Sequence, residues 1–281
     1  MRLFPLTLLT MIAFAANSVL NRAAVGPGLI GPVEFAVVRL CAGAGMLGLL
    51  LAVRRARGAV AWAGWPGRAV GALSLLVYLF GFSLAYGTLD AGVGALILFG
   101  MVQITMFGGA LIAGEAVPVR RWVGAGLAFA GLLYLLAPGS APSGHPAEAA
   151  MMAAGGVGWG VYSLSARGAR DPLAATGWNF LLAVPVALVL WAVLTEGRVA
   201  AAPAGIALAV VSGALTSGLG YALWYSVLPS LGPSDGAVAQ LTVPIFAVVG
   251  GMAFLGEALT LRFAIAAVMV LGGVGWALRR R

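Results

Sequence analysis

Ten side chains in this sequence set a polar atom or an aromatic face inside apolar surroundings: Asn17, Tyr78, Phe82, Gln103, Trp159, Tyr162, Ser163, Trp178, Tyr221 and Gln240. Amides, hydroxyls and ring faces bind solutes; they do not by themselves make or break bonds. His145 and Cys41 are each the single residue of their type. The acids Glu34, Asp90, Glu115, Glu148, Asp171, Glu196, Asp235 and Glu257 fall in loops or within about two turns of a helix end. No nucleophile, general base or metal site can be assembled in mid-span from such a set, so catalysis, a metal and a cofactor are not expected, and a membrane-embedded enzyme is the weaker rival reading. An apolar cavity with aromatic walls and a few amides suits a small amphipathic solute such as a neutral or aromatic amino acid.

The spacing decides which of these groups share a face. Phe14, Asn17 and Asn21 recur at i, i+3 and i+7, where an amide either holds a solute or bonds a neighbouring helix; for Asn21, near the helix end, the interhelical bond is favoured. Tyr78, Phe82 and Tyr86 recur at i, i+4 and i+8, a stripe that serves packing or a pocket, and a hydroxyl as deep as that of Tyr78 needs a polar partner. Gln103 and Gln240 are well inside their spans, and Pro244 removes a donor four residues after Gln240, so a kink is expected there. Trp159, Tyr162 and Ser163 cluster in one span, Trp178 and Asn179 open the next, and Tyr221, Trp224 and Tyr225 follow in a third. Trp62, Trp65, Trp191 and Trp276 suit an interfacial belt, whereas Trp178 and Trp224 fit either role.

The elements that must position these groups follow from composition. Of 281 residues 62% are hydrophobic and 9% charged, with mean hydropathy +1.05, too little polar surface for a water-soluble chain. Continuous apolar runs without alternation make the spans helices rather than barrel strands. Runs of about 20 residues place ten of them, near 3–23, 32–53, 69–88, 91–114, 119–138, 148–168, 173–195, 204–229, 234–255 and 260–278. The fold class expected is an all-α membrane protein. Its 42 glycines, as in Gly43-x-Gly45-x-x-Gly48 and Gly156-x-x-x-Gly160, allow close helix packing.

The net charge of +8 is carried by arginines between spans, which speaks for orientation and against a nucleic-acid partner. With the N-terminus inside, twelve arginines fall on the cytoplasmic side against Arg22, Arg198 and Arg262 outside, which puts both termini in the cytoplasm of an inner-membrane, multi-pass protein. Met1-Arg2-Leu3 opens straight into a span too long for a signal peptide, so that segment is read as the first helix. Arg39 is left over, inside the second span. The lipid bilayer and a small-molecule substrate are the partners expected of a monomer.

The stretch from Gly94 to Gly131 returns as Gly236 to Gly273. At a constant offset Gly108-Gly109 matches Gly250-Gly251, Gly114-Glu115-Ala116 matches Gly256-Glu257-Ala258, and Arg120 matches Arg262. Five spans per copy is an odd number, so the second copy enters from the opposite face: two inverted five-helix repeats, 1–138 and 148–281, joined by a linker at 139–147. Glu115 and Glu257, with Arg120 and Arg262 close by, read as carboxylates that pin their own hairpin turns.

This plan resembles the drug/metabolite transporter superfamily and its EamA family along the whole chain. The likeness rests on Ala113-Gly114-Glu115-Ala116 with Trp122-Val123-Gly124-Ala125, and on Leu255-Gly256-Glu257-Ala258. Phe14-Ala15-Ala16-Asn17-Ser18 is similar to the family's first helix but lacks its Trp-Gly, which stands instead at Trp159-Gly160, and Arg39-Leu40 is similar to an Arg often found in the second helix. Short loops and an aromatic-rich second half resemble the YddG-type amino-acid exporters. The resemblance implies a secondary transporter exporting small metabolites, amino acids foremost, by alternating access; a multidrug or lipid carrier of the same superfamily is the alternative.

Overall fold

A helix that crosses a bilayer satisfies its backbone internally, and the ends and neighbours of each helix are what distinguish one bundle from another. The computed structural model describes residues 3–56, 68–114, 116–137, 139, 145–166, 169–194, 200–231 and 239–278. Trp62, Trp65, Glu115 and the Gly236-Ala237 pair of the repeat lie outside them.

Among the described residues the regular elements are helices: α1 (Leu3–Val25), α2 (Pro32–Ala56), α3 (Arg68–Ala85), α4 (Ala91–Ile112), α5 (Val119–Leu136), α6 (Pro146–Ser165), α7 (Pro172–Leu194), α8 (Pro203–Val227), α9 (Val243–Leu255) and α10 (Leu261–Leu278). Seven of them, α1 to α5, α7 and α8, are long and apolar enough to cross a membrane, and α9 and α10 are shorter apolar helices. Phe4, Ile112, Val189, Phe254 and Val268 point outward, as apolar side chains do toward lipid. The protein is an all-α membrane protein of about ten helices.

Proline opens α2, α6, α7 and α8, where its missing N–H costs nothing. Past the ends of α4 and α9 stand Gly114 and Gly256, with φ of 69° and 68°, the left-handed turn that favours glycine. The two repeat-related glycines therefore share the left-handed backbone conformation after their helices. The ninth span differs from expectation: instead of one helix from 234 kinked at Pro244, the chain turns at Leu241 and Thr242 and α9 starts at Val243. The Thr242 hydroxyl donates to the Ala239 carbonyl at 2.6 Å, and Pro244, which cannot donate to a preceding turn, sits in the first turn of the restarted helix.

Backbones approach through glycine at several seams. A Cβ on Gly81 of α3 would meet the Met151 carbonyl of α6 at 2.5 Å, and one on Gly158 would meet the Ser74 carbonyl at 2.7 Å. Gly124 of α5 and Gly273 of α10 each face the other's carbonyl. Gly156 and Gly160 pack on α4, while in the other run only Gly43 is covered and Gly45 and Gly48 are open. Contacts at the helix ends sort the bundle into two faces. Glu257, before α10, meets the start of α4 and the last turn of α1; Asp171, before α7, meets the last turn of α2.

Candidate functional site

Arg39 occupies the middle of this arrangement. It lies seven residues into α2, about 10 Å from that helix's start, and is 0% exposed. Its Nε donates to Ser217 Oγ of α8 at 3.2 Å and its Nη2 to Tyr78 Oη of α3 at 2.9 Å. The guanidinium carbon lies 4.9 Å from the centre of the Phe82 ring and 5.3 Å from that of Tyr78. Tyr78 thus finds the polar partner its depth demands, and the Tyr78, Phe82, Tyr86 stripe forms successive ring contacts at 5.4 and 4.7 Å. Two charge-assisted hydrogen bonds, about 1.5–3 kcal/mol each, are of the size needed against a burial cost of several kcal/mol per ion. Nη1, however, has no hydrogen-bond partner. The ion pairs among the described residues are Arg22–Glu257 and Arg54–Asp171, and Arg39 belongs to neither.

Ser217 reaches Arg39 because α8 is not a plain α-helix. Ser212–Leu219 is π-helical, and its hydrogen bonds span five residues instead of four. In an α-helix Ser217 would stand about 140° around the axis from Ser212. The wider turn returns it to the same face, so the hydroxyls of Ser212, Thr216 and Ser217 converge on Asn17 Oδ1 of α1 at 2.8, 2.6 and 3.3 Å. Gly213 and Gly218 allow this, since a Cβ on Gly213 would strike the Arg39 carbonyl and one on Gly218 the Met46 side chain. Asn17 is therefore the acceptor that ties α1 to α8, and Asn21 beside it donates to Ser83 Oγ at 2.8 Å.

The aromatic groups named from the sequence come together here. Trp159 of α6 stacks on Tyr162 and on Tyr221 of α8, with centroids 5.3 and 5.4 Å apart and planes at 17° and 19°, and meets Tyr78 at 5.0 Å. Tyr221 also touches Phe14 at 5.6 Å and Phe180 at 5.9 Å. Tyr162 is buried and donates to Thr176 Oγ1 at 2.9 Å. Ser163 instead returns its hydroxyl to the Trp159 carbonyl of its own helix at 2.7 Å. Gln103, Trp178 and Gln240 are half-buried; the two glutamines take no part in the hydrogen bonds or ring contacts of the cluster. Arg39, noted in the sequence inside the second span but not among the ten candidate site residues, is the side chain on which Tyr78 and Ser217 meet. Its signal was present, as the one arginine in the interior of a span.

At the α4 face the expected hairpin pin is corrected. Glu257 does not brace its own turn against Arg262. Its two carboxylate oxygens accept the Ala91 N–H at 2.8 and 3.0 Å, capping α4, and Arg22 Nε lies 3.8 Å away. Arg22 also donates to the carbonyls of Tyr86 and Gly87. Arg262 turns to the end of α5, donating to the Tyr134 and Ala137 carbonyls, each at 3.0 Å. A capping carboxylate finds exposed N–H groups at the start of α4, which its own tight turn does not offer. Burial pushes the Glu257 carboxyl above its usual range, the Ala91 N–H pulling the other way. A cavity of about 160 Å³ opens beside Glu257, Arg262 and Asp90, away from the Arg39 cluster.

The fold and the site define a multi-pass, all-helical membrane protein with a buried polar and aromatic centre. Residues 147–279 match the model of the EamA-like transporter family. An uncharacterized protein of Pseudomonas aeruginosa is 46% identical over 277 residues, 98% of this chain and 94% of that protein. A solved crystal structure of a protein at 22% identity shares the fold with a TM-score of 0.68, covering 97% of this chain and 98% of the other. The chain belongs to the EamA-like transporter family, within the drug/metabolite transporter superfamily.

Proposed function

We propose that this protein is a secondary transporter of the cytoplasmic membrane that carries small amphipathic metabolites, neutral or aromatic amino acids foremost, in the manner of the YddG-type exporters. The observation that carries the reading is the buried cluster itself, in which Asn17, Arg39, Tyr78 and Phe82 from the first part of the chain meet Trp159, Ser217 and Tyr221 from the second. A solute held there touches both parts, and so its binding energy can differ between two arrangements of them.

In this reading residues 1–138 and 148–281 are inverted halves, both termini are cytoplasmic, and a monomer suffices. Arg22–Glu257 at one face and Arg54–Asp171 at the other are contacts between the halves that part in turn as access alternates. The partners are the solute and the bilayer, with no nucleic acid.

The test is efflux of a panel of labelled amino acids from proteoliposomes containing the full chain. Flux of neutral or aromatic members above protein-free vesicles is expected, and Trp159→Phe, which keeps a ring between Tyr162 and Tyr221, should alter it. No flux of any member would overturn the reading. Flux of lipophilic cations but not amino acids would move it to the multidrug branch.

A further inference from the structure

Arg39 holds five N–H donors, of which Ser217 engages one on Nε and Tyr78 one on Nη2. The pair on Nη1 is buried without an acceptor, and neither of the ion pairs among the described residues includes this cation. A guanidinium clamped on two sides by neutral hydroxyls and laid over two rings keeps a fixed direction for the rest of its fork. Structural bracing alone uses Nε and Nη2; it leaves Nη1 unexplained.

We propose that Arg39 is the anchor for the carboxylate of the carried solute, and that the protein selects monocarboxylates with an apolar or aromatic body. One cation matches one negative charge, and among the described residues Arg39 is the cation whose guanidinium meets the hydroxyls of Tyr78 and Ser217 and the Tyr78 and Phe82 rings, which disfavours a phosphate dianion. The rings of Tyr78, Phe82 and Trp159 supply the apolar wall next to the charge. Recognition is placed on the acid end of the solute. The Asn17 carbonyl oxygen, the group suited to an ammonium, already has three hydroxyls converging on it. This inference rests on the transporter reading for its setting, since it deepens what that same site takes.

The experiment uses the full chain in detergent and in proteoliposomes, with matched pairs that differ only in the acid: phenylalanine against phenylalaninamide, and 3-phenylpropionate against 3-phenylpropionamide. Binding is followed by tryptophan fluorescence and thermal shift, and flux by release of labelled solute. Each acid should bind about tenfold to a hundredfold more tightly than its amide, the range that a charge-assisted hydrogen bond supports. Arg39→Gln should erase the difference, and Arg39→Lys, which keeps the charge without the fork, should leave an intermediate one. The wild-type pairs decide the matter even if neither variant folds. Acids bound and carried with that preference support both proposals. Acids bound with that preference but not carried support the anchor and overturn the transporter reading. Amides bound and carried as well as acids overturn the anchor and leave the transporter reading standing. No binding by either acid overturns the anchor, and with no flux of any solute the transporter reading falls too.

Discussion

Glu257 and Arg39 are both charged side chains held between segments far apart in sequence, yet their surroundings complete one and not the other. Glu257 faces a helix N-terminus and an arginine, so its charge is answered by a backbone donor and an opposite charge. Arg39 faces two neutral hydroxyls and two ring faces, with part of its fork unanswered. A completed charge is a staple, worth what its bonds are worth in the resting fold. An incomplete one keeps the capacity to gain when a partner of opposite sign arrives, which is what a binding site requires.

The most forceful way to break this contrast is to complete the second charge. Asn17 shares the Ser217 hydroxyl with Arg39, so Asn17→Asp sets a carboxylate within one hydroxyl of the guanidinium. Flux should fall by at least about tenfold while the folded protein keeps or gains thermal stability, because an internal anion now competes for the site. Unchanged flux in proteoliposomes, with the aspartate in place, would remove the distinction between the two regions.

Next in size is the staple. Glu257→Ala removes the cap of α4 and should cost about 1–2 kcal/mol of stability, read from denaturation in detergent, with flux altered less than by Asn17→Asp. A loss of flux as large as that of Asn17→Asp would show that Glu257 does more than close one face of the bundle. Arg54→Ala at the opposite face should cost at most about 1 kcal/mol, less at high salt, since the Arg54 side chain is 37% exposed. A strong, salt-independent effect on stability would count against that ranking.

The smallest effect expected is none. The acids read from the sequence stand at helix ends or in loops, away from mid-span, so an imposed pH gradient alone should not drive accumulation above equilibrium. The check is solute accumulation with and without the gradient at fixed membrane potential. Severalfold accumulation that collapses with a protonophore would sink the expectation. Glu257, whose carboxyl burial pushes upward, would then be the first residue to replace.

Much of this molecule is readable without coordinates. Span positions and the twin Gly-Glu turns depend on runs of apolar residues and on glycine's access to positive φ, both local properties. The Tyr78, Phe82, Tyr86 stripe was readable because α3 is a regular helix and i, i+4 spacing keeps one face. The gathering of Trp159, Tyr162 and Tyr221 was anticipated as a list of deep aromatics, though not as a stack, because no spacing rule connects α6 to α8.

What the chain determined by itself is its solvent and, the ninth span apart, the places of its helices, for bilayer burial and backbone hydrogen bonding act on each segment alone. Tertiary packing decided the rest. The π-helical turn of Ser212–Leu219 brings Ser217 to Arg39 where Gly213 and Gly218 lie against α2, and α-helical periodicity would have placed it elsewhere. The choice of Ala91 over Arg262 by Glu257 likewise needed the start of α4 to be delivered from a distant part of the chain. Partners of this kind are set by which helices meet, and that is a property of the assembled bundle rather than of any one stretch of sequence.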